Sequence, residues 1–477
     1  MTGRRLEALA VGAGLGYLVL LAIAMPRVSF DIWGALLLIP IYGLLGHIAI
    51  SLAFRGPWGT VRVALAWGLF LKLGGAAARY WVGFEAYDGG IDAARYHDFA
   101  RIRAAEVWSG ERSPFDLIPT TTGTDFVDEF TGLLYTLTGG SQLAGFVTFS
   151  FIAYLGVICF VRAAATALPD MAVRKYAWLC AIAPSLVYWP ASIGKEALVI
   201  CGLGVATLGI ARLLSGGGRL AALVAIGVGL GFAGVIRPHM AGIWVAAAIP
   251  ALVLAVLRGL RSTDGRRRGR IGFVLVLVGS TIGLAMIAAF TVRFLQPRPG
   301  GDQTLTELFG ETTRRTAQAG SNYIPPSVDS PLQWPYAIVR TLLRPLPIEA
   351  RGIAQLVSAV ELAGLVALYV WSWRRVVGFP RLLLSKPFVL FVVSAIALTG
   401  LAFASFANLG VLTRQKSLLF PLLLLIPCLP LVPRTRASGP TVRERSGPSP
   451  LQRPDAARDR SDSSMPGAFE TEQPTGA

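Results

Sequence analysis

Blocks of about 20 consecutive apolar residues recur along this chain, and they constrain its fold more than any other feature. A helix needs roughly 20 apolar residues to cross about 30 Å of hydrocarbon. Hydrophobic residues make up 54% and charged residues 15% of the 477 residues, whereas about 25% of a typical soluble domain is charged. The sequence therefore excludes a water-soluble globular protein and predicts an all-α, polytopic transmembrane helical bundle.

The apolar blocks predict twelve membrane spans within a transmembrane domain that covers residues 1–433. The spans lie near 6–25, 32–54, 61–83, 144–166, 175–192, 196–213, 220–237, 240–258, 271–293, 352–373, 387–406 and 417–433. We expect the first block to be retained as a span rather than cleaved as a signal peptide, because it is about 20 residues long. The tail, 434–477, is rich in Pro, Ser, Gly and Arg, which predicts a disordered cytoplasmic segment without a catalytic role.

The distribution of basic residues predicts the orientation in the cell membrane. The densest basic cluster follows the eighth predicted span and contains Arg258, Arg261, Arg266, Arg267, Arg268 and Arg270. Because such residues accumulate in cytoplasmic loops, both termini are expected inside, and two long connections, 84–142 and 294–350, are expected outside. The first connection has ten acidic and four basic residues, a net charge of −6, and the second is neutral. The overall charge of +17 thus orients the chain and does not indicate a nucleic-acid partner.

Several classes of chemistry are excluded by what the sequence lacks. All four cysteines, Cys159, Cys180, Cys201 and Cys428, fall within predicted spans, so no disulfide is expected in the outer loops. We find no Cys/His zinc pattern and no P-loop, which excludes ATP-driven pumping by this chain alone. The two long loops differ in length, charge and content, unlike the matching halves of transporters built from inverted repeats.

The densest cluster of chemically active side chains lies at 87–98, just outside the third predicted span. Its two glycines favour a tight turn, and a helix after that turn would bring Asp92 and Tyr96 to one face with Arg95 beside them. A carboxylate at a membrane surface, near an arginine and the imidazole of His97, is suited to accept a proton from a sugar hydroxyl. The alternative interpretation is that these residues cap and anchor an interfacial helix.

Four cations depart from the positive-inside rule, because they lie at the predicted outer ends of spans. They are Lys195, Arg237, Arg414 and Lys416. Arginine can bind a phosphate through two parallel hydrogen bonds, and a helix that begins near Lys195 and Glu196 would offer free N–H groups to an anion. The sequence therefore predicts an outer-face site for the phosphate or diphosphate of a lipid carrier; contacts with phospholipid headgroups, or a simple helix cap, are the alternatives. Further candidates for this site are Arg95, Glu196, His239, Arg344 and Glu349.

Two cations within the third span and two aromatic segments of the second loop need an explanation. Lys72 is near mid-span and is expected to face a polar cavity or a partner, whereas Arg79 could extend towards the outer surface. The segments 320–323 and 334–336 carry aromatic and amide groups that suit sugars, although aromatic residues at a membrane interface more often form its aromatic belt.

The segment Gly90-Ile91-Asp92-Ala93-Ala94-Arg95-Tyr96-His97 is similar to a Gly-Asp-Ala-x-x-Tyr-His pattern of bacterial GT-C-type glycosyltransferases and Wzy-like polysaccharide polymerases. Segments 188–196, 237–239 and 344–349 resemble further signatures of that group. The resemblance implies a polyprenyl-phosphate or diphosphate sugar donor, a membrane-bound glycan acceptor and an acidic general base. That base maps onto Asp92, with Asp88 or Asp98 as second choices. These three aspartates could share a divalent cation, although aspartates at these spacings are common without one.

The sequence thus leads to the hypothesis of a membrane glycosyltransferase or polymerase for cell-envelope polysaccharide. Asp92 would be the general base, and Tyr96 and His97 would orient it or the sugar. The leaving phosphate, whose charge grows in the transition state, would be neutralised by Lys195, Arg237, Arg344 and Arg414. A transporter or flippase for lipid-linked oligosaccharide is the alternative, since twelve spans fit it equally well. A non-catalytic scaffold for envelope assembly is a third possibility.

Overall fold

The computed structural model describes residues 3–260, 305–317 and 321–431, and within these ranges the chain is helical and contains no β-strand. The predicted all-α fold is therefore confirmed for the described residues. The ninth predicted span, 271–293, most of the arginine cluster before it, and the predicted tail lie outside them.

Nineteen α-helices make up the described part of the chain. They are α1 (Gly3–Ala24), α2 (Phe30–Ala53), α3 (Gly59–Trp81), α4 (Asp92–Trp108), α5 (Thr124–Thr138), α6 (Gln142–Ala167), α7 (Val173–Ile182), α8 (Pro184–Tyr188), α9 (Lys195–Leu214), α10 (Arg219–Ile236), α11 (Pro238–Leu260), α12 (Leu305–Thr316), α13 (Trp334–Leu342), α14 (Ile353–Trp371), α15 (Trp373–Val377), α16 (Phe379–Ser385), α17 (Pro387–Phe403), α18 (Leu409–Lys416) and α19 (Phe420–Leu425). A π-helical turn, Val82–Ala86, extends α3.

Seven of the described helices are long and apolar enough to cross a membrane. They are α2, α3 with its π-helical extension, α6, α9, α10, α11 and α14. Two bent pairs, α16 with α17 and α18 with α19, raise this number to nine if each pair forms one span. The membrane-spanning character is thus confirmed, whereas the total of twelve spans stays a prediction.

The structure differs from the predicted spans where proline residues interrupt the helices. The predicted span 175–192 is not one helix, because α7 ends at Ile182 and the five-residue α8 begins at Pro184. Proline lacks an N–H group and disfavours helical geometry in the residue before it, and Ala183 is accordingly extended, with ψ 115°. Residues 189–194 are also non-helical. Near the C-terminus, the axes of α18 and α19 differ by 55°, and those of α16 and α17 by 113°.

Helices α6 and α9 form the interior of the bundle, and glycines allow their backbones to approach closely. In their most apolar windows, 83% of α6 and 67% of α9 is buried. A Cβ atom on Gly156 would lie 2.4 Å from the carbonyl oxygen of Ile200, and one on Gly204 would lie 2.4 Å from that of Gly156. Small residues are typical of such contacts between membrane helices. This packing fixes α9, whose first turn carries two of the predicted site residues.

The first predicted outer loop contains a packed pair of helices, α4 and α5. Arg95 of α4 donates to the Asp128 carboxylate of α5 at 2.9 Å, and His97 Nδ1 lies 2.8 Å from the Tyr135 hydroxyl. The predicted helix after the glycine turn is confirmed, because α4 begins at Asp92. The helix pair holds the N-terminus of α4 against the ends of the longer helices.

Candidate functional site

The buried carboxylate of Glu196 forms ion pairs with two arginines from distant parts of the chain. Its Oε1 atom accepts a hydrogen bond from Arg237 Nη2 at 2.6 Å and from Gln415 Nε2 at 3.2 Å. Arg414 Nε lies 3.1 Å from the same oxygen, which is an ion-pair distance, but the two are not aligned as a hydrogen bond. Arg237 also donates to the side-chain oxygen of Gln415. The first turn of α9, the junction between α10 and α11, and the last turn of α18 therefore meet at one point.

Asp92 completes this cluster from the outer helix pair. Its Oδ2 atom lies 2.8 Å from Arg414 Nη1. Asp88, with φ +50°, and Gly89, with φ +72°, form the turn before it, and this left-handed geometry favours glycine. The side chain of Asp92 is 63% exposed, that of Arg414 30% and that of Glu196 8%. Arg414 thus connects an exposed carboxylate with a buried one.

Tyr96 lies one turn after Asp92 and is almost fully buried beside the cluster. Burial raises the pKa of the Tyr96 phenol, and the negative charges of Asp92 and Glu196 raise it further. A Cβ atom added at Gly194 would lie 3.9 Å from the Tyr96 ring and 3.6 Å from Glu196 Oε2. The phenol is therefore protonated at neutral pH, and it forms part of the wall around the carboxylates.

Lys195 adds a positive charge at the edge of the cluster. Its Nζ atom donates to the neutral Thr124 hydroxyl at 2.6 Å, and in the described part of the chain no carboxylate lies within ion-pair distance of it. Lys195 interacts electrostatically with Asp92, Arg237 and Arg414. Two carboxylates and two guanidinium groups balance in the cluster, and Lys195 adds a positive charge at its edge, where it also interacts electrostatically with Asp128 of α5.

Arg95 belongs to a neighbouring ion pair rather than to this cluster. It contacts buried Asp128 at 2.9 Å and exposed Asp125 at 3.8 Å. Burial raises the pKa of the Asp128 carboxyl, while the positive charge of Arg95 opposes that shift. The main effect of Arg95 in the structure is to hold α4 on α5.

Three other predicted catalytic residues are not drawn into the cluster. His97 faces Tyr135 on α5, and burial lowers the pKa of its imidazole. Asp88 and Asp98 are exposed. Within the described ranges, no group of three or more His, Cys, Asp or Glu side chains could hold a metal ion. The geometry therefore does not support the predicted sharing of a divalent cation by the three aspartates.

A second group of polar residues surrounds the other face of α18. Arg344 forms an ion pair with Glu349 at 3.0 Å, and its guanidinium lies 4.7 Å from the centre of the Tyr323 ring. Lys416 donates to the carbonyl oxygens of Leu342, at 3.1 Å, and Arg344. Arg344, Glu349 and Lys416 thus stabilise the segment that follows α13, and they do not contact the carboxylates of the first cluster. His239 is half-buried and interacts electrostatically with Arg237 and Lys195.

Sequence reasoning missed several partners of the predicted residues. Gln415 stands between two predicted cations, but nothing in the sequence indicates that its amide joins Arg237 to Glu196. Thr124 has no distinguishing pattern either. Glu361 could have been found, because a carboxylate within an apolar span is rare. It accepts from the backbone N–H of Ser185 at 2.9 Å and from the Ser185 hydroxyl, just where α8 breaks the predicted fifth span.

The two cations of α3 have local partners. Lys72 donates to the carbonyl oxygen of Leu186 in α8. Arg79 Nη1 lies 3.1 Å from the Tyr188 hydroxyl, and its guanidinium is 5.0 Å from the Tyr188 ring and 5.1 Å from the Trp189 ring. Arg79 is therefore buried beside aromatic rings. The sequence allowed this side chain to extend towards the outer surface, and in the structure it does not.

The cluster at the ends of α4, α9, α10 and α18 offers two complementary functions. Asp92 is an exposed carboxylate that can accept a proton, and Arg414 and Lys195 can attract an anion. Glu196 and Gln415 hold the arginines in place, which reduces the reorganisation needed when a ligand binds. No protein-family model, no curated protein and no solved structure matches this chain.

Proposed function

We propose that this chain is a polytopic membrane glycosyltransferase or polysaccharide polymerase that uses a polyprenyl-phosphate-linked sugar donor on the extracytoplasmic face. The observation that carries the proposal is the 2.8 Å contact between Asp92 and Arg414, at the exposed edge of a buried charge cluster. A carboxylate that can act as a base and a guanidinium that can bind phosphate are the two groups that such a transfer requires.

In the proposed reaction, the acceptor hydroxyl oxygen attacks the anomeric carbon of the donor sugar. The bond between that carbon and the phosphate oxygen breaks, and the phosphate leaves with the bonding electrons. Asp92 takes the proton of the attacking hydroxyl. Arg414 and Lys195 stabilise the charge that develops on the leaving phosphate.

The proposed topology has twelve spans, cytoplasmic termini, and outer loops at 84–142 and 294–350. It is supported by the basic clusters in alternate connections, above all the one after the eighth predicted span, and by the net charges of −6 and zero in the two long connections. A Glu111→Cys variant, in a background without the four native cysteines, tests it with a membrane-impermeant thiol reagent on intact cells. We expect labelling from outside; labelling only after the membrane is opened would refute the orientation.

The activity is tested by reconstituting the full chain in liposomes with radiolabelled polyprenyl-phosphate sugars and a glycan acceptor. We expect transfer by the wild type and a loss of roughly 10²–10⁴-fold in Asp92→Asn, the range for removal of a general base. Glu111→Gln, an exposed carboxylate of the same loop, is the matched control and should retain activity. Turnover by Asp92→Asn at the wild-type rate would exclude Asp92 as the base.

The same liposomes distinguish the transporter alternative. Movement of labelled lipid-linked sugar across the bilayer without any change in the glycan would support a flippase and contradict the proposed transferase. If neither transfer nor movement occurs with any donor, and the charged variants retain envelope assembly in cells, a scaffold is the better description.

A further inference from the structure

Arg414 contacts two carboxylates that differ in how firmly they are held. Glu196 is 8% exposed, and its Oε1 atom is engaged by Arg237, Gln415 and Arg414. Asp92 is 63% exposed, and the only hydrogen bond of its carboxylate in the described part of the chain is the one with Arg414. Glu196 is therefore a fixed structural partner, whereas Asp92 can be displaced at little cost.

Arg414 also keeps binding capacity that the protein does not use. Among the described residues, its guanidinium donates one hydrogen bond, from Nη1 to Asp92, while Nε faces Glu196 at 3.1 Å. The side chain as a whole remains 30% exposed, and an arginine has five N–H donors. An anion that replaced Asp92 could engage this arginine, and Lys195 would contribute a second positive charge.

We propose that Arg414 is the phosphate-binding residue of this site and that Asp92 occupies it in the ligand-free protein as a built-in competing anion. This inference rests on the proposed function, because it takes the substrate to carry a phosphate. When the phosphate binds Arg414, Asp92 is released from its ion pair, and its carboxylate becomes free to accept a proton. The base is thus engaged with Arg414 until the donor is in place.

The competition predicts that anion affinity rises when Asp92 loses its charge. A binding site without a competing carboxylate would not show this rise. Removing the charge of Asp92 eliminates the competitor, so an anion should bind more tightly to Asp92→Asn than to the wild type. An exposed ion pair is worth up to about 1 kcal/mol, or about fivefold in a binding constant. We therefore expect an increase in phosphate affinity of about three- to fivefold, which decreases as salt screens the exposed pair.

The experiment measures the binding of farnesyl phosphate to the full-length protein in detergent by isothermal titration calorimetry. The variants are Asp92→Asn, Arg414→Gln and the double variant, with Glu111→Gln and Arg101→Gln as exposed controls from the same loop. Asp92→Asn should bind about three- to fivefold more tightly and Arg414→Gln at least tenfold more weakly. In the double variant, the loss of the Asp92 charge should no longer increase affinity.

Unchanged or weaker binding by Asp92→Asn would overturn the inference, and this variant does not disturb the buried part of the cluster. Farnesol and inorganic phosphate are the additional probes. Binding of farnesol as tight as that of farnesyl phosphate would also refute it, because the phosphate would then contribute nothing. Inorganic phosphate that binds as tightly as farnesyl phosphate, with the same dependence on Asp92, would identify a site for free phosphate rather than for a lipid headgroup, and would contradict the lipid substrate.

The outcome is separable from that of the proposed function. If Asp92→Asn binds phosphate more tightly but no donor supports sugar transfer, the competition stands and the transferase proposal fails. If transfer occurs and depends on Asp92 but phosphate binding does not respond to its charge, the transferase proposal stands and the competition fails.

Discussion

Replacing Glu196 with glutamine should destabilise the protein strongly, although it exchanges only one carboxylate oxygen for an amide NH2 group. The carboxylate is 8% exposed and compensates the charges of Arg237 and Arg414 at 2.6 and 3.1 Å. Glutamine keeps the shape but removes the negative charge, so two guanidinium groups are left without their buried counter-charge. Breaking a buried pair by removing one partner typically costs about 3–5 kcal/mol, and we expect a loss of that size.

The matched control is Asp92→Asn, because Asp92 contacts the same arginine from a side chain that is 63% exposed. Exposed pairs contribute at most about 1 kcal/mol, so this variant should stay close to the wild type. The free energy of unfolding is measured by steric trapping in bicelles for both variants. A loss in Glu196→Gln that is no larger than the loss in Asp92→Asn would refute the buried cluster.

Three further predictions concern the scaffold around the site. Gly156→Ala should cost about 1–3 kcal/mol through overpacking, because its Cβ atom would lie 2.4 Å from the α9 backbone; Gly227→Ala, with open space around it, should be tolerated in the same unfolding assay. Burial lowers the pKa of His97, so the unfolded state takes up a proton at a higher pH than the folded state, near 6.5, and stability is lost as pH falls below that value. The protection factors of the α4 and α5 amides, corrected for the pH dependence of intrinsic exchange, should therefore be lower at pH 5.5 than at pH 7, and His97→Gln should lose this difference. Arg95→Gln leaves Asp128 without its 2.9 Å partner and should make the α4–α5 loop sensitive to protease, whereas adding Asp128→Asn should restore resistance; no rescue would contradict the importance of this pair.

Much of the fold follows from the sequence because hydrophobicity and length dominate in a membrane. The apolar blocks correctly predict the all-α fold, and the glycine turn correctly predicts a helix that begins at Asp92. The prediction of a continuous span at 175–192 was wrong. Average hydrophobicity does not detect the helix break that Pro184 causes. The number of spans depends on such breaks and on segments outside the described residues.

The sequence predicted several of the residues that form the candidate site, but not which of them pair with one another. Cations on the predicted outer side pointed to Arg237 and Arg414, and their proximity to Glu196 and Asp92 is seen in the structure. Which carboxylate neutralises which arginine depends on contacts between residues as far as 322 positions apart. The sequence pattern also grouped His97 with Asp92. Five positions along an α-helix correspond to a rotation of about 140°, and His97 accordingly faces α5.

The most direct test of the proposed site is a cryo-electron microscopy structure of the full chain with bound farnesyl phosphate. We predict phosphate oxygens about 3 Å from the Arg414 guanidinium, with Asp92 moved out of contact and Glu196 still paired with Arg237. An intact Asp92–Arg414 contact with the phosphate bound elsewhere would contradict both the phosphate site and the release of the base.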